Sequence, residues 1–176
     1  MSDYVGSNWP VILVAAMAAF AVAAVGGMLT EIGAWYHSLR FPAWKPPNWA
    51  FGPVWTVIFT LCVAAAVMAW VGAESRAARA GLVALFAVNA GLNILWNVLF
   101  FRWRRPDWAL IETGALWLSI LALILYVWPI SPTASLLLAP YILWVSIAWA
   151  LNLAIVRLNP PFGAAGPAQP SDIRST

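Results

Sequence analysis

Charged side chains are scarce in this sequence. They make up 9% of its 176 residues, whereas 64% of the residues are hydrophobic. An average soluble domain is about half apolar and about a quarter charged, and this chain departs from both values in the direction of the membrane. The composition therefore favours one membrane domain and argues against a separate soluble domain.

Cysteine and histidine are almost absent too. The single cysteine, Cys62, excludes an internal disulfide framework and a multi-cysteine metal site, and we interpret it as a small apolar residue inside a helix. The single histidine, His37, is expected in a loop that contacts water, with axial ligation of a haem iron as the alternative. No Ser-His-Asp set, phosphate-binding glycine loop or zinc spacing is visible, so we predict no metal site and no hydrolytic site.

What the sequence does contain is long apolar runs. Five of them have the roughly 20 residues that a helix needs to cross a bilayer, and a helix satisfies its own backbone polar groups in lipid. We therefore predict an all-α fold, an integral membrane bundle of five transmembrane helices over residues 1–158. The spans are placed at about 9–29, 49–71, 78–101, 108–128 and 134–156. Residues 159–176, rich in Pro, Gly and Ala, are predicted to be a disordered tail.

The basic residues predict an orientation, because cytoplasmic loops carry an excess of Lys and Arg. The N-terminus and the second and fourth connections contain only Arg76 and Arg79. The other connections and the C-terminus contain seven: Arg40, Lys45, Arg102, Arg104, Arg105, Arg157 and Arg174. The N-terminus is thus expected outside and the C-terminus in the cytoplasm. We interpret the basic run 102–105 as a topology anchor, not as a nucleic-acid site.

The first connection, residues 30–48, is the longest and the richest in proline. A short helix is expected over 32–39, followed by an extended turn, because a residue that precedes proline is driven out of the helical region. At the other connections the chain turns within a few residues. We therefore predict that this connection forms a lid over one end of the bundle.

Thirteen tryptophans are far more than ordinary usage requires. Eight fall at span ends or in connections, as expected for an interfacial belt, and five lie deeper: Trp55, Trp96, Trp117, Trp144 and Trp149. Three helix faces combine aromatic, small and amide side chains: Phe51, Trp55, Phe59 and Cys62; Asn89, Asn93, Trp96 and Phe100; Tyr141, Trp144, Ala148 and Asn152. Because amides are costly in lipid, these faces should point inward and enclose a flat apolar ligand. Plain packing of the bundle is the alternative.

One acidic residue, Glu112, falls within the fourth predicted span. We expect its side chain to reach the interface or to pair with Arg105, since long charged side chains near a helix end extend towards water. A role in proton movement is the alternative.

Three stretches together resemble a known family. They are WYHSLRFPAWKPPNWAFGPVWT (35–56), LNILWNVLFF (92–101) and PYILWVSIAWALN (140–152). The pattern is similar to that of the translocator protein family, whose bacterial members are called tryptophan-rich sensory proteins and whose mitochondrial members are known as the peripheral-type benzodiazepine receptor. The resemblance covers about residues 9–158.

The resemblance implies a five-helix homodimer in a bacterial membrane, the inner membrane being favoured over the outer. Such a protein would bind and transport tetrapyrroles such as protoporphyrin IX and haem, with a sensory or regulatory role and no required cofactor. Carried over by position, the implied ligand-binding residues are Trp55, Phe59, Asn93, Trp96, Trp144 and Ala148. The implied lid residues are Tyr36, Trp44, Lys45, Pro46, Pro47 and Trp49.

Two other functions stay open. One is an enzyme that degrades porphyrin in light, for which the resemblance points to Trp55 and Tyr36 as oxidisable residues. The other is a structural or partner-binding membrane subunit. The sterol pattern of animal members is not matched, because Leu153 to Arg157 contain no tyrosine, so specific cholesterol recognition is not expected. We expect Lys45 and Arg40 to meet the propionates of a bound porphyrin.

Overall fold

The chain folds as a helical bundle in a computed structural model that describes residues 2–159 and Phe162, with side chains from Asn8 onward. The long helices are α1 (Ser2–Leu29), α3 (Asn48–Gly72), α4 (Arg76–Asn97), α5 (Pro106–Val127) and α7 (Ala139–Leu158). Two short helices, α2 (Ala34–Ser38) and α6 (Pro132–Leu136), lie in the connections. No strand occurs within the described ranges, and five segments are long and apolar enough to cross a membrane. The predicted all-α, five-span fold is confirmed.

Local sequence explains several of the helix ends. The Ser75 hydroxyl accepts a hydrogen bond from the Ala78 amide at 3.0 Å, so it caps α4, and Ser131 caps α6 through Ala134 in the same way. Pro106 and Pro132 stand in the first turns of α5 and α6, where a missing amide hydrogen costs nothing. Residues 45–47 are extended between α2 and α3, as predicted for the consecutive prolines.

Two spans are less regular than the sequence suggested. Residues 134–156, which we expected to be one helix, are interrupted between α6 and α7, because Pro140 has no amide hydrogen with which to continue the helical ladder. The third span ends in a π-helical turn, Val98–Arg102, that widens the backbone around Phe100 and Phe101. Of the predicted tail, residues 159–176, only Asn159 and Phe162 belong to the described part of the chain.

The five long helices form a ring in the order α1, α3, α7, α5, α4, and α3 also contacts α4 across it. Helix α1 packs against α3 and α4, α4 packs against α5, and α5 packs against α7. The ring closes between α3 and α7 mainly through aromatic side chains, since Phe51 meets Trp144 and Trp55 meets Tyr141. The interior enclosed by these helices is therefore lined by α3, α4, α5 and α7.

Candidate functional site

Aromatic side chains bridge α3 and α7 in what we call the α3–α7 aromatic group, made of Phe51, Trp55, Phe59, Tyr141 and Trp144. The Trp55 ring stacks on Phe59 with centroids 5.4 Å apart and meets Tyr141 edge-on at 5.9 Å. Phe51 and Trp144 form a second edge-on pair at 5.5 Å. Both geometries are favoured for aromatic pairs. The structure thus brings together three of the predicted ligand-binding residues: Trp55, Phe59 and Trp144.

Between the same two helices the bundle surface carries an apolar groove of about 320 Å³. Trp144 forms part of its wall, and the other lining residues are Pro53, Val54, Val57, Ile58, Pro140, Leu143 and Ile147. Each of the two facing helices contributes one proline to the wall, Pro53 from α3 and Pro140 from α7. The groove opens laterally, towards the side on which a bilayer would lie.

Four polar side chains of the interior, Asn93, Tyr141, Asn89 and Ser119, form one hydrogen-bonded chain, which we call the amide chain. The Asn93 side-chain amide donates to the Tyr141 hydroxyl at 3.2 Å, and that hydroxyl donates to the Asn89 side-chain oxygen at 3.2 Å. Asn89 in turn donates to the Ser119 hydroxyl at 2.8 Å. The chain joins α4, α5 and α7, because a buried polar group needs a partner. Asn93, a predicted ligand-binding residue, is therefore already hydrogen-bonded within the protein.

A second set of rings, the lid-side aromatic group, lies beneath the first connection and consists of Trp35, Tyr36, Phe41, Trp96, Phe100 and Phe101. Trp96 stacks on Phe100 at 4.9 Å, and Phe101 meets Trp96 edge-on at 6.0 Å. Tyr36 stacks on Phe101 at 6.1 Å. Trp96 is thus placed with the rings of the lid, whereas Trp55, Phe59 and Trp144 lie in the α3–α7 aromatic group.

Lys45 holds the lid to the start of α3. Its ammonium group donates to the Tyr36 hydroxyl at 3.3 Å, to the Pro46 carbonyl at 3.3 Å and to the Asn48 side-chain oxygen. It also lies 4.9 Å from the centre of the Phe41 ring, a cation–π distance. All three ammonium hydrogens therefore have a protein partner. Lys45 must release one of these partners before it can meet an anionic group of a ligand.

The two faces of the lid differ. Tyr36 is buried, and burial raises the pKa of its hydroxyl, while burial lowers the pKa of the Lys45 amine. Trp44 and Trp49 are 52% and 76% exposed, so these two predicted lid residues lie on the outer side. Pro46 is half-buried and Pro47 is exposed in the extended turn between them.

The lid is also tied to the end of α7. The Arg40 amide donates to the Asn159 side-chain oxygen at 2.9 Å, and the Asn159 side chain donates back to the Arg40 carbonyl at 3.0 Å. Two reciprocal hydrogen bonds fix the position of this segment. Asn159 was placed in the predicted tail, and its role as an anchor of the lid had no signal in the sequence.

Sequence reasoning also missed the centre of the site. Tyr141 contacts Trp55 and carries the middle hydroxyl of the amide chain, yet the resemblance did not include it among the ligand-binding residues. Asn89 and Ser119 were missing from that set as well. The available signal was the rule that a buried hydroxyl or amide within a span needs a partner. Ala148 is half-buried on α7, one turn after Trp144.

Two of the deeper tryptophans lie outside this site. The Trp117 indole donates to the Ser146 hydroxyl at 2.9 Å between α5 and α7. Trp149 packs over Gly114, where an added β-carbon would come within 3.3 Å of its ring. Both residues serve the packing of α5 against α7. His37 is exposed, in α2 and not in a loop, and Cys62 is half-buried in α3.

The interpretation of Glu112 was wrong. Arg105 pairs with Asp107 through two hydrogen bonds, and Glu112 is only 7% exposed. Neither carboxylate oxygen of Glu112 has a hydrogen-bond partner in the described part of the chain. Glu112 is therefore a buried acid of the bundle interior. Within the same residues no cluster of three or more metal-ligating side chains occurs.

The fold now described has five membrane-length helices, two aromatic groups and a proline-rich lid. The sequence of the chain was compared with those of known families. The family model described as TspO/MBR matches residues 12–158, which is most of the chain. The chain belongs to the TspO/MBR family. The resemblance seen in the sequence is thereby confirmed, and the protein is an integral membrane protein of this family.

Individual relatives agree with the family assignment. Protein CrtK of Rhodobacter capsulatus is 37% identical over 143 residues, which are 81% of this chain and 89% of that protein. The tryptophan-rich protein TspO of Chlorobaculum tepidum is 40% identical over 128 residues, covering 72% of this chain and 80% of that protein. The translocator protein of Sus scrofa is 34% identical over 144 residues, with 78% and 81% covered.

Proposed function

We propose that this protein binds tetrapyrroles such as protoporphyrin IX and haem, together with related flat apolar ligands, in the interior enclosed by α3, α4, α5 and α7. The observation that supports this most directly is the position of Tyr141. Its ring contacts Trp55, and its hydroxyl links the amides of α4. Rings from separate helices therefore surround a polar group, which is the usual composition of a small-molecule site.

The proposed route into the site is lateral. The groove between α3 and α7 is apolar and open to the side, and Trp144 belongs both to its wall and to the α3–α7 aromatic group. An apolar porphyrin that is dissolved in the bilayer would reach the interior between these helices without crossing water. Aromatic side chains join α3 and α7, so we expect rotation of these side chains to widen the passage.

The lid would supply the positive charge for the propionates. Lys45 lies on its inner side, and Arg40 lies in the segment that Asn159 anchors. Exchange of the Asn48 or Tyr36 partner of Lys45 for a propionate replaces a neutral acceptor of the ammonium group with a carboxylate, so that both partners are charged. In the proposed orientation the lid and the C-terminus face the cytoplasm.

Transport and signalling complete the proposal. The protein would move its ligand between the bilayer and the cytoplasm as a homodimer in a bacterial inner membrane and would report tetrapyrrole levels. Relatives are named tryptophan-rich sensory protein and translocator protein. Flux of labelled protoporphyrin IX into vesicles that contain only this protein tests movement, since a rate equal to that of empty vesicles would exclude it.

Binding is tested by titration of protoporphyrin IX against tryptophan fluorescence in three variants. Trp144→Leu and Trp96→Leu remove one ring from each aromatic group, and Trp9→Leu removes an exposed ring from α1 as the matched control. We expect each of the first two variants to bind roughly tenfold more weakly, since stacking on an aromatic ring contributes ~1–3 kcal/mol. Equal affinities in all three variants would show that the porphyrin binds elsewhere.

Illumination of the same complexes separates binding from catalysis. A Soret band that persists in light indicates a binding protein. Loss of the band faster than in free porphyrin, and abolished in Trp55→Phe, would instead favour light-dependent degradation. Absence of any porphyrin-dependent fluorescence change in the unmodified protein would favour the partner-binding alternative.

A further inference from the structure

Glu112 is an acidic side chain buried in the apolar interior of the bundle. It is 7% exposed on the inner side of α5, and both carboxylate oxygens lack a hydrogen-bonding partner among the described residues. A carboxyl group in an apolar interior is costly unless a donor contacts it, because burial removes the water that would otherwise solvate it. Simple packing is served better by an aliphatic residue of similar volume.

The packing of α5 against α4 shows where this carboxyl group points. Tyr126, Ser119 and Glu112 are spaced by seven residues, so they share one face of α5. The Tyr126 hydroxyl donates to the Ala78 carbonyl at 3.2 Å and lies against Gly81, and Ser119 bonds to Asn89. The face that carries Glu112 is thus the face turned towards α4.

The two helices run in opposite directions, so the register can be extended by one more step. Moving from Ser119 to Glu112 goes back two turns on α5, and the matching two turns forward from Asn89 on α4 lead to Trp96. Glu112 therefore lies at the depth of Trp96. The Trp96 ring stacks on Phe100 at 4.9 Å and meets Phe101 in an edge-on contact at 6.0 Å.

A carboxyl group that has no donor among the described residues and lies at the depth of an indole ring has the chemistry that recognises an organic cation. The carboxylate supplies a charge-assisted hydrogen bond, and the face of a tryptophan ring attracts positive charge, the strongest such attraction among aromatic side chains. We propose that Glu112, together with Trp96, forms a cation-recognising subsite of the interior that binds a protonated nitrogen attached to a flat aromatic ligand. The inference rests on the proposed interior binding site and adds a ligand class to it.

The subsite also predicts selectivity. A flat aromatic molecule of the same shape but without the cationic nitrogen makes the ring contacts and leaves Glu112 unpaired. A cationic analogue relieves the cost of burying the carboxylate, so it gains affinity from a group that the neutral molecule does not use. The lid attracts carboxylates through Lys45, whereas this subsite, deeper in the bundle, attracts the opposite charge.

The test uses 9-aminoacridine, a flat tricyclic cation, and acridine, its neutral counterpart at mildly alkaline pH. Both are titrated against the full chain in lipid nanodiscs by tryptophan fluorescence. Glu112→Gln keeps the shape of the side chain and removes its charge, and Glu74→Gln removes the same charge from an exposed site as the matched control. We expect Glu112→Gln to weaken 9-aminoacridine binding by about thirtyfold or more, because the cation loses the counter-charge that Glu112 would provide.

Acridine binding should be unchanged in both variants, and Glu74→Gln should bind 9-aminoacridine as the unmodified protein does. Equal affinity of the unmodified protein for the two molecules, or a Glu112→Gln variant that still prefers the cation, would overturn the proposal. The thermal midpoint checks folding, and we expect Glu112→Gln to leave it unchanged or raised.

A third titration separates this proposal from the proposed function. Protoporphyrin IX is titrated against the unmodified protein and the same two variants. Retained porphyrin binding with no preference for 9-aminoacridine would reject the cation subsite alone. If the unmodified protein binds neither protoporphyrin IX nor 9-aminoacridine, the interior binding site itself is rejected.

Discussion

Helices α1 and α5 have the same length scale and similar hydropathy, yet they occupy opposite environments. In α1 none of the most apolar stretch is buried within the chain, whereas 39% of the corresponding stretch of α5 is buried. Large side chains such as Leu13 and Phe20 of α1 face outward, while Leu123 and Val127 of α5 are almost fully enclosed. Hydropathy alone therefore reports that a helix is in the membrane and does not report what surrounds it.

The polar residues make the distinction that hydropathy does not. Helix α5 carries Glu112, Thr113 and Ser119 within its span, and the first two are buried in the bundle. Between Trp9 and Thr30, helix α1 carries apolar residues and glycine and no charged or hydrogen-bonding side chain. Polar groups in a span must face protein, so a helix that carries them turns that face towards the other helices of the bundle.

The largest difference between the two helices is expected from the same truncation in each. Leu123→Ala should lower the free energy of unfolding by about 2–5 kcal/mol, because Leu123 is 1% exposed and the substitution leaves a cavity. Leu13→Ala, at a site that is 51% exposed on α1, should have little effect. Thermal or denaturant unfolding in detergent measures both. Similar losses in the two variants would mean that α1 is packed in a way that the isolated chain does not show.

A pair of glycines provides the second comparison. A β-carbon on Gly81 would overlap with Tyr126 of α5, whereas nothing lies within 4 Å of the corresponding position at Gly27 of α1. We expect Gly81→Ala to cost about 1–3 kcal/mol of stability through overpacking. Gly27→Ala should be neutral or slightly stabilising, since Ala favours helix. The unfolding midpoints of the two variants measure these effects. An unchanged midpoint in Gly81→Ala would show that the Tyr126 side chain moves aside easily.

Removal of a buried hydrogen bond and removal of an exposed one should change the free energy of unfolding by smaller amounts. Tyr141→Phe removes the hydroxyl that joins Asn89 and Asn93 and should cost ~1 kcal/mol, the usual size of an interhelical hydrogen bond in a membrane. Thr30→Val removes an exposed bond to the Gly26 carbonyl at the end of α1 and should cost less. Comparable losses would indicate that the amide chain adds nothing to packing.

The smallest expected effect on stability comes from the pKa of Lys45 in the lid. Lys45 is the only lysine, so reductive ¹³C-methylation labels one side-chain amine, and the α-amino group gives a separate signal that titrates at lower pH. Burial lowers the pKa of the Lys45 amine below the ordinary value of 10.5, and the NMR titration should show this directly. Because the unfolded chain then binds the proton more tightly, the free energy of unfolding should rise as pH increases towards that ordinary value. An amine that titrates at or above the ordinary value would mean that the lid is open to water.

Much of the fold was predictable, for physical reasons that act locally. A run of apolar residues such as 49–71 must be helical in lipid, because its backbone polar groups have no other partners. The extended turn at 45–47 follows from proline geometry. The π-helical turn at Val98–Arg102 was not predictable, since no local signal distinguishes it from the end of an ordinary helix.

For the candidate site, the sequence predicted which residues share a face of each helix and did not predict how these faces meet. The spacing of Trp55 and Phe59 on α3 placed them on one side, and the structure stacks their rings. That Trp96 joins the lid-side rings, and that Asn93 is bonded to Tyr141, depends on the register between helices. No periodicity within a single helix contains that information.

The sequence by itself determined that this protein crosses a membrane five times and belongs to the TspO/MBR family, because composition, span length and motif spacing are properties of the chain. Only the tertiary structure decided that Glu112 is buried with no hydrogen-bond partner among the residues described, while Arg105 pairs with Asp107. An acidic residue two turns into a helix can reach water or be enclosed, and the difference depends on which neighbouring helix covers it.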